Sequence, residues 1–157
     1  MNYREITPDD MQSIFDVRVA TWHNPNGVVE LDRLGITHAS VRQLMASSHR
    51  GWLCETGEGV AGFALGNKLN GEMWVIAVLS EYENRGIGKS LLARVEDWLG
   101  SEGWRETWLT TDTDEELRAV GFYRHLGWVD WKIEDGDRFM KKHIKPSTGA
   151  QPETKPG

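Results

Sequence analysis

The sequence predicts an α/β protein built on a mixed β-sheet. The hydrophobic periodicity switches repeatedly between extended and helical segments. One extended run, at 71–78, is apolar on both faces, which is typical of a central strand covered on both sides. The predicted order is strand, helices, three strands, helix, strand, helix and two strands.

Size and composition predict one domain followed by a short tail. A chain of 157 residues with 39% apolar residues and eight tryptophans can fill a single core. We place the domain at 1–143. The remaining segment, 144–157, is rich in proline and polar residues and should be disordered.

Charge and cysteine content exclude several functional classes. The chain has 18 Lys and Arg against 24 Asp and Glu, a formal net charge of -6, and no basic block, so nucleic acid is not an expected partner. Cys54 is the lone cysteine, and the five histidines are scattered, so neither a disulfide nor a metal site is expected. With no signal peptide and no apolar span of about 20 residues, we expect a cytoplasmic protein without membrane contact. A homodimer is left open.

The N-terminal third is predicted to contain one strand and three helices. Thr7 is a capping residue, and Pro8 suits the first helical position. Composition predicts a loop at 23–27. The predicted elements are a strand at 2–6, a helix from about 8 to 22, and shorter helices at about 28–34 and 38–48.

The middle of the chain is predicted to be extended. Two runs, 51–56 and 60–67, flank Gly57-Glu58-Gly59 and indicate a hairpin. The next strand, 71–78, should alternate its side chains between the two faces of the sheet. The alternation predicts Met73, Val75 and Ala77 on one face and Trp74, Ile76 and Val78 on the other.

The C-terminal half alternates helices and strands. Apolar spacing predicts a helix at 86–99 that ends in a glycine-rich segment. A turn at Asp135-Gly136 separates the last two strands. The predicted elements are the helix at 86–99, a strand at 104–111, a helix at 114–125, and strands at 127–133 and 138–142.

The segment ENRGIGKS, residues 83–90, lies between the central strand and a helix. Amides at the start of a helix favour anions, so this junction predicts a phosphate site. A nucleotide P-loop needs glycine where Glu83 stands, and a carboxylate there would repel a triphosphate. The dinucleotide fingerprint lacks its third small residue, because Leu91 occupies that position. Both nucleotide interpretations are therefore weak.

A loop that binds a diphosphate through backbone amides fits this segment better. Gly86 and Gly88 permit close approach, and Arg85 and Lys89 are nearby cations. The alternative is a glycine turn that only begins a helix.

With this turn in place, the sequence resembles the GNAT superfamily of acetyl-CoA-dependent N-acetyltransferases over about residues 2–142. WVIAVLSEYENRGIGKSLL (74–92) resembles the coenzyme strand, turn and helix, with the motif Gln/Arg-x-x-Gly-x-Gly/Ala. RAVGFYRHLGW (118–128) resembles a later helix of the family. One departure is Glu83 at the Gln/Arg position, which bears on a side-chain contact to the diphosphate. The resemblance implies a mixed, largely antiparallel sheet of about six or seven strands flanked by helices.

The resemblance implies transfer of an acetyl group from acetyl-CoA, a co-substrate, directly to a primary amine of a small molecule or peptide. An alkyl ammonium has a pKa near about 10.4 and must lose a proton before it attacks. The developing oxyanion needs a donor, and a protonated thiolate leaves more easily. The alternative is a non-catalytic acyl-CoA-binding or regulatory module.

The resemblance also implies roles for individual residues. Tyr123 corresponds to the general acid, although it could simply pack beside Phe122. Glu72 corresponds to a carboxylate that some members use as base, often through water, although it could be a solvated turn residue. Backbone groups of Ile76, Ala77 and Val78 would serve the oxyanion and the pantetheine arm. The diphosphate would be bound by Arg85, Gly86, Ile87, Gly88, Lys89 and Ser90.

Other polar residues are weaker candidates. Residues 22–48 correspond to the region that shapes the acceptor site in this family, but they do not identify the amine. His125 is expected at the surface, and Cys54 in the core. A charge run that could attract a cation consists of Asp112, Asp114, Glu115 and Glu116.

Overall fold

The computed structural model describes residues 1–21, 27–111 and 118–146. Within these ranges a seven-stranded sheet is flanked by five helices, which confirms the predicted fold class. None of these helices combines the length and the hydrophobicity needed to cross a bilayer. The elements are β1 (Asn2–Glu5), α1 (Met11–Thr21), α2 (Gly27–Arg33), α3 (His38–Ser47), β2 (His49–Thr56), β3 (Gly59–Asn67), β4 (Glu72–Val78), α4 (Ile87–Ser101), β5 (Glu106–Thr111), α5 (Arg118–His125), β6 (Val129–Glu134) and β7 (Asp137–His143).

The strand order is β1-β2-β3-β4-β5-β7-β6. The pairs are antiparallel except for β4 with β5, which is parallel. The sheet is therefore mixed and largely antiparallel, as the sequence predicts. The parallel pair lies in the middle and divides the sheet into a four-stranded and a three-stranded half.

The two central strands meet at one end and diverge along their length. Over the described residues their ladder contains the single registered pair Glu72↔Trp108. Side chains of β5 and of the loop before it donate hydrogen bonds to the turn between β3 and β4. These bonds hold β4 and β5 together at one end, which is the closed end of the gap between the two strands. Three hydrogen bonds do this: from Trp104 Nε1 to the Lys68 carbonyl (2.7 Å), from Thr107 Oγ1 to the Gly71 carbonyl (2.7 Å) and from Trp108 Nε1 to the Asn70 carbonyl (3.0 Å).

A β-bulge in β4 corrects the predicted side-chain alternation. Gly66 pairs with Met73 and Leu65 pairs with Val75, so Trp74 is an extra residue. An extra residue reverses the alternation beyond it. The face toward α4 consequently carries Met73, Ile76 and Val78, whereas the face toward α1 carries Trp74, Val75 and Ala77.

Two apolar clusters cover the two faces of the sheet. On one face α4 packs so closely on β3 that a Cβ at Gly66 would lie 2.5 Å from Val95 Cγ1. Glycine is therefore required there by the helix–sheet distance. On the other face α1 and α3 contribute Ile14, Val17 and Val41 to the second cluster.

Several predicted boundaries lie outside the described residues. They include most of the loop at 23–27, the start of the helix at 114–125 with its charge run, and residues 147–157 of the tail. The chain is still bonded to the domain just after β7, because the Ile144 amide donates to the Arg105 carbonyl. Cys54 is fully buried, as expected for a core residue.

The start of α1 is fixed to β1 by a buried carboxylate. Asp10 accepts a hydrogen bond from the amide of Thr7, the N-cap residue of the turn before α1, at 2.7 Å. The Arg4 guanidinium donates to both Asp10 oxygens, at 2.9 and 2.8 Å. These bonds lower the pKa of the Asp10 carboxyl from its ordinary value of 3.8 to about 2.

We predict that Asp10→Asn lowers the free energy of unfolding by about 1–2 kcal/mol at neutral pH. The folded-state pKa lies below the unfolded one, so this contribution is complete above a pH of about 4 and is lost as pH falls toward about 2. Urea unfolding of both proteins from pH 7 to pH 2.5 measures the difference. A difference that stays constant over this range would contradict the ionic origin of the effect.

Candidate functional site

A cleft of about 430 Å³ opens where β4 and β5 diverge. Its walls are the second half of β4, the turn before α4, the first turn of α4, one side of α5 and the end of α1. Of the residues predicted to act, those that line it are Ile76, Val78, Gly86, Ile87, Gly88, Lys89 and Tyr123.

The other predicted residues lie elsewhere. The Ala77 side chain packs in the cluster on the α1 face. Arg85 is exposed, and its guanidinium carbon lies 5.2 Å from the centre of the Tyr82 ring. The Ser90 amide donates to the Gly86 carbonyl at 3.0 Å, so the helix already uses it. Glu72 is also not among the cleft-lining residues.

The first turn of α4 presents a row of amides to the cleft. Gly86 precedes the helix in the left-handed conformation, with φ of 80°. The next three amides, of Ile87, Gly88 and Lys89, have no carbonyl four residues back in the helix. A Cβ at Gly86 would meet no atom within 4 Å, so there is space beside the turn. Unpaired amides, a helix dipole and the exposed Lys89 suit a phosphate group.

Gly88 has a steric role that the sequence did not reveal. A Cβ at this position would lie 2.9 Å from Cζ of Phe122 in α5. The two helices pack together at this point, so α4 and α5 meet on the floor of the cleft. A substitution at Gly88 would therefore displace Phe122 whether or not a ligand is bound.

An ion pair joins the turn before α4 to the start of α5. Arg118 Nε lies 3.6 Å from Glu83 Oε1, and Arg118 Nη2 donates to Asn84 Oδ1 at 2.7 Å. All three residues line the cleft. The carboxylate at the unusual motif position thus has a cationic partner.

Tyr123 is a buried phenol at the centre of the cleft wall. It is 8% exposed and packs against Phe122 and Trp128, with ring centroids at 5.5 and 6.0 Å. Burial raises the pKa of Tyr123 to about 12, and the positive charge of Arg18 opposes part of the rise. The hydroxyl is therefore protonated at neutral pH and can donate a proton.

The position of Arg18 shows that groups from both faces of the sheet meet in the gap. Tyr123 belongs to the cluster on the α4 face, whereas Arg18 lies on α1, across the sheet. Its charge nevertheless acts on the Tyr123 hydroxyl. Thr21, one turn further along α1, lines the cleft itself.

Glu72 lies at the closed end of the gap. Met73 faces α4, so the neighbouring Glu72 points to the other face, beside its register partner Trp108. Desolvation raises the pKa of Glu72, against a hydrogen bond from Asn70. Ile76 is four residues further along β4, roughly 10–13 Å at about 3.3 Å per residue. A proton would need water to pass between the cleft and this carboxylate.

The second half of β4 is paired with β3. Its residues Ile76, Ala77 and Val78 pair with Ala64, Phe63 and Gly62 of β3. On the opposite edge, the described part of β5 has no residue in register with them.

Sequence reasoning missed the contributions of Arg18, Thr21 and Arg118. The first two lie in a helix that is over 50 residues from β4, and no local pattern connects them to the turn. Arg118 begins the segment that resembles the family's later helix, so its position gave a usable signal. Within the described residues, no cluster of three or more His, Cys, Asp or Glu could hold a metal ion.

Solved structures with this fold include several acetyltransferases. PaiA N-acetyltransferase from Thermoplasma acidophilum, solved in complex with coenzyme A, has a TM-score of 0.80 and 16% identity, and the match covers 92% of this chain and 100% of that one. The ribosomal-protein-S18-alanine N-acetyltransferase from Escherichia coli has a TM-score of 0.73 and 17% identity, covering 96% and 97%. A GNAT-family acetyltransferase from Staphylococcus aureus Mu50 has a TM-score of 0.73 and 19% identity, covering 92% and 99%.

Sequence comparison gives the family. No curated protein matches the chain. The sequence model of the acetyltransferase (GNAT) family matches residues 11–128. This range runs from the start of α1 to the buried Trp128, just after α5. The chain therefore belongs to the GNAT acetyltransferase family.

Proposed function

We propose that this acetyltransferase transfers an acetyl group from acetyl-CoA directly to a primary amine. The observation that carries the proposal is the cleft itself, where a helix N-terminus and a buried, protonated tyrosine border the same gap between two strands. An anion site and a proton donor in one space are what thioester aminolysis needs.

The coenzyme's diphosphate would bind at the amides of Ile87, Gly88 and Lys89. The space beside Gly86 and the exposed cation of Lys89 support this assignment. A structural relative from Thermoplasma acidophilum was solved with coenzyme A, which supports the same ligand here. Bound acetyl-CoA supplies the acetyl group as an activated thioester.

Tyr123 would hold the proton that the departing sulfur takes up. A phenol with a pKa of about 12 is protonated at neutral pH, so the hydroxyl has a proton to give as the carbon–sulfur bond breaks. Its ring is fixed between Phe122 and Trp128, so its hydroxyl needs no reorganisation.

Glu72 would take the proton from the attacking ammonium through water. Its raised pKa brings the carboxylate closer to the operating pH, which favours a general base. Its separation from the cleft residues of β4 is compatible with a relayed transfer and not with direct contact.

The first prediction tests the anion site with two variants of the same shape. Gly86 has positive φ and open space beside it, so Asp and Asn should both fit there. We expect Gly86→Asp to weaken acetyl-CoA binding at least about tenfold relative to Gly86→Asn, because only Asp adds a negative charge. Calorimetric titration at low salt measures both affinities. Equal affinities would mean that the diphosphate does not bind at this turn.

The second prediction concerns the proton donor. Tyr123→Phe keeps the ring and its packing but removes the hydroxyl, so the catalytic rate should fall about a hundredfold or more while acetyl-CoA binding is retained. Tyr82→Phe is the matched control, because this second phenol in the cleft donates to Glu58 at 3.0 Å. Thiol release under single-turnover conditions separates the two. A wild-type rate for Tyr123→Phe would leave the residue with a packing role only.

The third prediction concerns the base. A carboxylate must be ionised to accept a proton, so wild-type activity should decline as pH falls through the raised pKa of Glu72. Glu72→Gln should lower the rate at pH 7 about tenfold to a hundredfold, and the deficit should shrink toward the amine pKa of about 10.4, where the acceptor is already neutral. The control is Glu106→Gln, at the start of β5. A deficit that does not depend on pH would argue against the base role.

A further inference from the structure

A second cavity, of about 170 Å³, lies on the α1 face of the sheet. It is enclosed by α1, the segment from α2 to α3, and strands β3 and β4. Its rim includes Leu34, which is 57% exposed, so the cavity is reachable from solvent. The walls are predominantly apolar side chains, among them Phe15, Leu31, Ile36, Phe63, Trp74 and Val75.

The bulge in β4 places this cavity next to the coenzyme cleft. Trp74 and Val75 line the apolar cavity, and Ile76, the next residue, lines the cleft on the opposite face. The two spaces therefore lie on opposite faces of β4, at adjacent residues. Arg18 gives a second connection, because it lines the apolar cavity and its charge acts on Tyr123 in the cleft.

The size and the walls of the cavity restrict what can fill it. An apolar cavity of about 150 Å³ lined by Leu, Ile and Phe is known to bind benzene, so this one has space for a single six-membered ring. A second ammonium would be unfavourable there, since burying an unpaired charge among apolar side chains is costly. Long polyamines are therefore poor candidates for this space.

We propose that the acceptor is a primary amine that carries a ring-sized apolar group on a short alkyl chain, and that this group occupies the cavity between α1 and β4. The inference rests on the proposed acetyl transfer, because it places the amine at the gap between β4 and β5. The spacer would pass beside β4, because Val75 borders the cavity and the next residue, Ile76, borders the cleft. An arylalkylamine or the N-terminal phenylalanine of a peptide has this chemistry.

The first test is an amine panel with the full chain and saturating acetyl-CoA. We expect kcat/KM for phenethylamine to exceed that for ethylamine by about tenfold to a hundredfold, the gain expected from burying one ring. Spermidine should resemble ethylamine. Two tetrapeptides, one beginning with Phe and one with Ala, identify the source: a better rate for the Phe peptide than for phenethylamine indicates a peptide acceptor. Equal values for phenethylamine and ethylamine would overturn the proposal.

The second test fills the cavity. Ile36 lines it and is half-buried, so Ile36→Trp should occupy the space of the ring. We expect kcat/KM for phenethylamine to fall at least about tenfold and that for ethylamine to change less than about twofold. Val29→Trp is the matched control, because Val29 is 67% exposed and does not line the cavity. An equal loss with both amines would contradict a specific ring site.

A second variant, which enlarges the cavity, tests the proposal if Ile36→Trp does not fold. Phe15→Ala enlarges the cavity and should shift the preference from phenethylamine toward a naphthyl-bearing amine. An unchanged preference order would contradict the assignment.

A binding measurement separates this proposal from the proposed function. Calorimetry on the CoA-saturated protein compares the affinities for phenethylamine and ethylamine without any turnover. A clear preference for phenethylamine that Ile36→Trp or Phe15→Ala alters, together with no acetylation of any amine, would reject acetyl transfer and keep the ring site. Acetylation without such a preference in binding or rate would reject the ring site and keep acetyl transfer.

Discussion

The divergence of β4 from β5 is the constraint on which the rest of this structure depends. Neighbouring parallel strands normally stay paired along their length. Here β4 and β5 are held together at one end, where side chains from β5 and the loop before it bind the turn between β3 and β4. Trp104 and Thr107 donate to the carbonyls of Lys68 and Gly71, so the strands are close at that end. Gly71 is needed there, because a Cβ would lie 3.0 Å from the Trp104 ring. Beside the second half of β4, α4 and α5 place the groups that line the cleft.

The bulge at Trp74 determines which face of the sheet each later side chain of β4 occupies, so that neighbouring residues border spaces on both faces. One extra residue reverses the alternation, so Val75 faces α1 while Ile76 and Val78 face the cleft. Without it, Val75 would lie on the α4 face and the apolar cavity would lose one of its walls. The same residue therefore separates the side chains that line the apolar cavity from those that line the cleft. One extra residue in β4 thus determines whether each later side chain borders the cleft or the apolar cavity.

The sequence predicted the elements and the start of a helix just after Gly86, because these depend on local patterns. Periodicity defined the helices and strands to within a few residues, and the glycines of 86–88 indicated a helix start beside a ligand. The bulge could not be predicted, because a run that is apolar on both faces has no polar residue whose position would reveal the reversed alternation. Nor could the pairing of Glu83 with Arg118, which joins segments 35 positions apart through tertiary packing alone.

That ion pair also bears on how an acidic protein would bind the proposed polyanion, the diphosphate of the coenzyme. The net charge of -6 is a property of the whole surface, and fields from distant charges are screened over about 8–10 Å. At the cleft the nearest charges differ from this average: Lys89 is exposed, the α4 N-terminus carries about half a positive charge, and Glu83 is paired with Arg118. The carboxylate at the motif position is thus compensated from α5. In the proposed coenzyme site the backbone amides of α4 would bind the diphosphate, and Arg118 would offset the charge of Glu83.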